Sequence, residues 1–218
     1  MKKIGLICLA VVLMLGIAGV GFGWWSDKLE IGQNPVETGE AKVGLKAYLG
    51  IEFSPYVTLS PKIAYFPGDG VTTHSFTLSG VYPSFGSDGI QNIFWVMYAA
   101  RNAGTIPAKV ASVDTTTGTS PWLDVTTYSE GVPQEVKDGA IAQIDASTEI
   151  PAEEKDEIKQ AVERDWGVGD VLGTGWLDRW GILFIKLHVI SDGSVEVPEG
   201  GSGTVTVTTV FTQFNATP

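Results

Sequence analysis

The chain has 218 residues, 44% of them hydrophobic and 18% charged, with 14 Lys+Arg against 25 Asp+Glu and a formal net charge of −11. This composition, with a positive mean hydropathy, excludes an intrinsically disordered chain and supplies enough apolar mass for one ample core. The acidic balance argues against a nucleic-acid partner and against binding to anionic lipid heads, since both call for a basic face.

The chain opens as an export signal. Lys2 and Lys3 form a short positive region, and Ile4 to Phe22 is an uncharged apolar run of a length that nearly spans a bilayer. Gly21 and Gly23 stand at the −3 and −1 spacing that signal peptidases accept, which places cleavage between Gly23 and Trp24 to within about three residues. An uncleaved N-terminal anchor is the alternative. Cys8, the one cysteine, lies inside this segment, so the processed chain has none and its stability must come from packing or assembly rather than disulfides.

Beyond the signal, period-two patterning predicts strands. Ala41, Val43, Leu45, Ala47 and Leu49 alternate with Lys42, Gly44, Lys46 and Tyr48, which reads as one apolar and one solvent face. Further strands are expected at Tyr56–Leu59, Thr72–Leu78, Ile93–Ala100, Pro107–Val113, Trp122–Thr127, Trp180–Ile190 and Thr204–Phe214, with Gly-rich turns such as Pro67-Gly68-Asp69-Gly70 between them. Two stretches carry helical spacing instead. Pro133–Ala146 places Val136, Ala140, Ile141 and Ile144 on one face, and Pro151–Trp166 does the same with Ile158, Val162 and Trp166. Pro151 is expected at the first helical position, and the following Glu153, Glu154, Asp156 and Glu157 suit a helix N-terminus and read as a solvated face rather than a cation site.

Many short strands with Gly-rich turns indicate an all-β fold, a jelly-roll-like antiparallel β-sandwich with an inserted helical hairpin at about residues 131–168. An immunoglobulin-like sandwich is the alternative, disfavoured because its Cys pair is missing. The expected division is a signal peptide at 1–23, an N-terminal segment at 24–35 ending at Asn34-Pro35, and one domain at 36–218.

Catalytic chemistry has little support. His74 and His188 are isolated in strand patterns, too few for a familiar zinc site, and no nucleophile elbow, P-loop or dinucleotide fingerprint occurs. Asp69, Asp88, Asp114, Asp124 and Asp192 fall in expected loops but lack the spacing of a calcium loop. No cofactor or metal is expected. The seven Trp read as packing residues first and as a sugar-stacking platform second. Asn215-Ala216-Thr217 is a glycosylation sequon, so Asn215 is a candidate glycan acceptor.

The junction Gly23-Trp24-Trp25-Ser26-Asp27, the turn Ala64-Tyr65-Phe66-Pro67-Gly68-Asp69, the run Arg101-Asn102-Ala103-Gly104-Thr105-Ile106-Pro107-Ala108-Lys109-Val110 and the ending Val210-Phe211-Thr212-Gln213-Phe214-Asn215 together resemble the TasA/camelysin-type exported fibre proteins, which are similar to archaeal bundling pilus subunits. About a third of the chain is covered, and the helical insertion departs from the pattern. The resemblance implies a non-enzymatic structural subunit of an extracellular filament, processed by a signal peptidase, touching membrane only through its signal segment, and forming a head-to-tail homopolymer. In such fibres the segment freed by cleavage adds a strand to the next subunit. Trp24, Trp25, Leu29 and Ile31 are then the donor side chains, and strands near Ile93–Ala100 and Thr204–Phe214 are expected to flank the acceptor groove. A monomeric or membrane-anchored adhesin is the second reading, and a camelysin-like metalloprotease, for which paired metal-binding histidines are lacking, the third.

Overall fold

The computed structural model describes residues 39–40, 42–51, 56–68, 70–82, 92–128, 131–164, 166–176, 178–190 and 194–213. They fall within a compact unit beginning at Gly39. Among the described residues the ten strands are β1 (Val43–Ile51), β2 (Thr58–Ser60), β3 (Ile63–Tyr65), β4 (Thr73–Val81), β5 (Ile93–Asn102), β6 (Ala108–Thr116), β7 (Leu123–Tyr128), β8 (Val171–Leu172), β9 (Trp180–Val189) and β10 (Gly201–Gln213). Two helices, α1 (Gln134–Ala146) and α2 (Ala152–Val162), lie between β7 and β8. The strands form two five-stranded antiparallel sheets, ordered β3-β1-β5-β9-β7 and β2-β4-β10-β6-β8. The fold is thus the expected jelly-roll-like sandwich with a helical hairpin, and the short β3 and β8 are additions that periodicity did not indicate.

Two cores divide the side chains of the first sheet by parity. Phe94, Val96, Tyr98 and Ala100 of β5 and Leu183, Ile185 and Leu187 of β9 meet Phe76, Leu78, Val205 and Val207 of the second sheet. The alternate residues Trp95, Met97, Ala99, Ile182 and Phe184 pack under Val136, Ala140 and Ile144 of α1 and Ile158, Ala161 and Val162 of α2. The helical cover explains why β5 and β9 are apolar on both faces.

On β1 the simple alternation fails. A β-bulge at Lys46 shifts the pairing with β5 between Leu45 and Ala47, so Leu45 and Tyr48 face the sandwich interior while Ala47, Leu49 and Ile51 face the helices. Lys46 and Tyr48 are therefore buried, not on a solvent face. The Lys46 ammonium donates to the carbonyls of Pro67 (2.9 Å) and Gly68 (2.7 Å). Tyr48 stacks on Phe76 and tilts against Tyr98.

The helices correct three expectations. Pro133 and Pro151 sit at the N-cap positions, one residue before the first helical turn, and neither gives a side-chain cap. Trp166 lies beyond α2 and packs in the inter-sheet core, where the missing side chain of Gly181 leaves room for its indole. The acidic run is not wholly solvated, because Glu154 and Glu157 are buried. Glu154 accepts from Arg101 (2.6 Å) and from the Tyr65 hydroxyl (2.8 Å), while Glu157 accepts from Arg179 (2.6 and 2.9 Å) and the Trp180 indole.

Candidate functional site: a vacated strand edge

The second sheet is built on hydroxyl ladders. Outward Thr204, Thr206 and Thr208 of β10 bond across to Thr77 (3.1 Å), Ser75 (2.8 Å) and Thr73 (3.2 Å) of β4, cross-strand pairs that fix the register. Inward Val205 and Val207 complete the core. Ordinary Thr-Val alternation thus makes β10 a central strand.

Its two neighbours do not run its whole length. β4 pairs with Gly201–Thr208 and β6 with Thr206–Gln213. The last bond on the β4 side is Thr209 N–H to Thr72 O, 2.8 Å. One residue earlier the chain is captured by the opposite sheet: Val71 and Leu45 exchange both main-chain hydrogen bonds (2.6 and 2.9 Å). Gly70 permits that approach, since it has φ +89° and a Cβ there would strike the Gly44–Leu45 backbone. The consequence is that beyond Thr209 the β4 side of β10 has no strand neighbour among the described residues.

A slot of about 460 Å³ occupies the gap, lined by Val43, Thr72, Thr208, Thr209, Val210, Phe211, Thr212 and Gln213. No lining side chain is charged. Because main-chain groups alternate in direction along a strand, Phe211 and Gln213 point their N–H and C=O the same way as Thr209, into the slot. Thr209 is 1% exposed and its hydroxyl has no hydrogen-bond partner among the described residues. Outward Val210 is 42% exposed. Such an arrangement can accept an extended peptide through main-chain hydrogen bonds, with Phe211 and Val43 as the apolar floor.

Of the two strands expected to flank an acceptor groove, β5 is hydrogen-bonded to β1 and β9 along nearly all its length and offers no edge. β10 contributes the open stretch just described. Gly23, Trp24, Trp25, Leu29, Ile31 and Asn215 lie outside the described residues, as do Asp69, Asp88 and Asp192. Asp114 and Asp124 are on β6 and β7 rather than in loops.

His74 donates to or accepts from the Tyr98 hydroxyl through Nδ1 (3.0 Å), and burial holds its pKa below the ordinary imidazole value. His188 contacts the Asn92 amide through Nε2 (3.0 Å). Among the described residues no group of three His, Cys, Asp or Glu is placed to hold a metal ion. Four tryptophans, Trp95, Trp122, Trp166 and Trp180, are buried, whereas Trp176 is 54% exposed. Burial and the hydrogen bond to Glu154 push Tyr65 up to about 12. Tyr65 and Glu154, with Arg101, tie α2 to the first sheet.

The run Asn102-Ala103-Gly104-Thr105 has a plain structural duty. The Asn102 amide donates to the carbonyls of Ile106, Leu172 and Gly173 (2.9, 3.2 and 3.0 Å) and its oxygen accepts from Gly104 N–H (2.9 Å), anchoring β8 to the end of β5. No family model, curated protein or solved structure matches the chain.

Proposed function

We propose that the chain is a secreted structural subunit of an extracellular filament that polymerises by donor-strand complementation, with the N-terminal segment freed by cleavage before Trp24 entering the next subunit. The carrying observation is the β4-side edge of β10 beyond Thr209, an uncharged slot with no strand neighbour among the described residues. β-augmentation recruits such an edge directly, and a head-to-tail contact between two different patches propagates instead of closing. An edge of this kind left open is an aggregation liability. Electron microscopy of the natively secreted protein, with N-terminal sequencing of the same sample, tests the reading. The expected result is filaments whose subunits begin near Trp24, lost when Trp24–Gln33 is deleted. Dispersed monomers with that N-terminus, or a deletion variant that polymerises normally, would refute it.

The second reading, a surface-displayed adhesin, draws on Trp176, an indole more than half exposed on the segment between β8 and β9 and so free on one face to stack on a sugar. A monomer retained on a polysaccharide column, and released by Trp176→Ala, would favour it.

A further inference from the structure

We infer that the outer face of the first sheet holds a binding site separate from the β10 slot, a pocket for a hexuronic acid, the acidic form of a six-carbon sugar. The site follows from where the helical cover ends. On β9 the residues that share the outward face are Ile182, Phe184, Lys186 and His188, at strand spacing. The helices bury Ile182 and Phe184, whereas Lys186, flanked by Trp95 of β5 and Thr126 of β7, lies beside the first turn of α1. A pocket of about 710 Å³ opens there, lined by Lys186 and Trp95 from the sheet and by Tyr128, Pro133, Glu135 and Val136. That is the size of a small-molecule site.

Three features of the lining select the ligand. Lys186 is half-buried and makes no ion pair among the described residues, so its ammonium has lost water without gaining a counter-charge. A ligand carboxylate supplies one through a charge-assisted hydrogen bond. Glu135, also without an ion pair among the described residues, repels a second acid and accepts from hydroxyl donors, which makes the rest of the ligand neutral and hydroxylated. The Trp95 and Tyr128 rings, edge to face with centroids 5.1 Å apart, join Pro133 and Val136 in an apolar surface that suits the C–H face of a sugar ring. One carboxylate, several hydroxyls and an apolar ring face occur together in a hexuronic acid, free or as a unit of an acidic polysaccharide. The formal charge of −11 works against general anion binding, so capture of an acid depends on Lys186, the one cation among the described lining residues.

Isothermal titration calorimetry of the natively secreted protein with D-galacturonate, D-galactose, acetate and alanine tests this. Galacturonate is expected to bind saturably and at least about tenfold more tightly than galactose, which lacks the acid, or than acetate and alanine, which lack the ring. Lys186→Gln is expected to lose about tenfold in galacturonate affinity with its thermal midpoint unchanged, and Lys186→Arg, which keeps the charge, to retain most of it. Trigalacturonate binding more tightly than the monomer identifies a polysaccharide as the source, and equal binding identifies the free sugar. Four outcomes would overturn the inference. No saturable heat up to about 20 mM galacturonate would leave the pocket without this ligand. Acetate or alanine matching galacturonate would reduce the site to a bare charge. Galactose matching it would take Lys186 out of ligand choice. Lys186→Gln binding galacturonate as the wild type does would place the sugar elsewhere on the molecule.

Discussion

Glu157 accepts from the Arg179 guanidinium and from the Trp180 indole at the foot of α2, and the glutamate side chain is 7% exposed while Arg179 keeps 25% of its surface in water. Burial alone would raise its pKa, but the bonds from Arg179 and Trp180 outweigh it and hold the carboxyl below its ordinary value of 4.5. A carboxylate with a depressed folded-state pKa contributes stability that is complete above the unfolded value and is lost as pH falls through the folded one. Replacing it by Gln leaves a guanidinium without its counter-charge, so Glu157→Gln is expected to cost about 2–3 kcal/mol at neutral pH, toward the lower end for a broken buried pair because Arg179 is partly solvated. The gap between wild type and Glu157→Gln in urea unfolding should narrow as the buffer is taken from about pH 7 to about pH 3. A gap that holds constant across that range would mean the charge contributes nothing. From sequence, Glu157 is one of four acids in a first helical turn and a half, and nothing local separates the two that turn inward to meet Arg101 and Arg179 from the two that do not.

At the level of elements, the segment that follows α2 meets the sandwich in one unusually close contact. Gly181 lies on β9, and a Cβ there would collide with the six-membered part of the Trp166 indole, itself buried in the inter-sheet core. Gly181→Ala is expected to destabilise the fold by about 1–3 kcal/mol through overpacking, read as a lower thermal midpoint. Trp166→Leu in the same chain should return part of that loss, the signature of two coupled residues. If the losses simply added, the contact would be energetically idle. Most strands and both helices were legible because each imposes a period on its own residues: Thr-Val alternation in β10, and Val136, Ala140 and Ile144 in α1. The bulge at Lys46 was not, since Leu45, Ala47 and Leu49 alternate as a regular strand would, and only the pairing with β5 reveals the slip. The slot was not legible in the sequence: the gap beside Phe211 exists because Val71 pairs with Leu45 of the other sheet, a choice made between two sheets that no single segment encodes.

Over the whole molecule, the sheets differ in what covers them. The first carries α1 and α2 on its outer face, whereas the second turns toward solvent a row of hydroxyls, Thr204, Thr206 and Thr208 beside Thr77, Ser75 and Thr73. The proposed cleavage after Gly23 would remove Lys2 and Lys3 and leave 12 basic against 25 acidic residues, a net charge of −13. Copies so charged repel over about 30 Å at 0.01 M salt and over about 8 Å at 0.15 M. The slot proposed to join them has no charge among its lining side chains, so salt screens the repulsion and leaves the attraction intact, and main-chain pairing with apolar burial is little affected at these concentrations. Filament growth from processed subunits should therefore speed up steadily between about 10 and 150 mM sodium chloride, followed by light scattering at fixed protein concentration. A joint held by opposed charges gives the reverse dependence, because screening then removes the attraction itself. Growth that slows with salt would thus point to a charged contact surface elsewhere on the sandwich and away from the β10 slot.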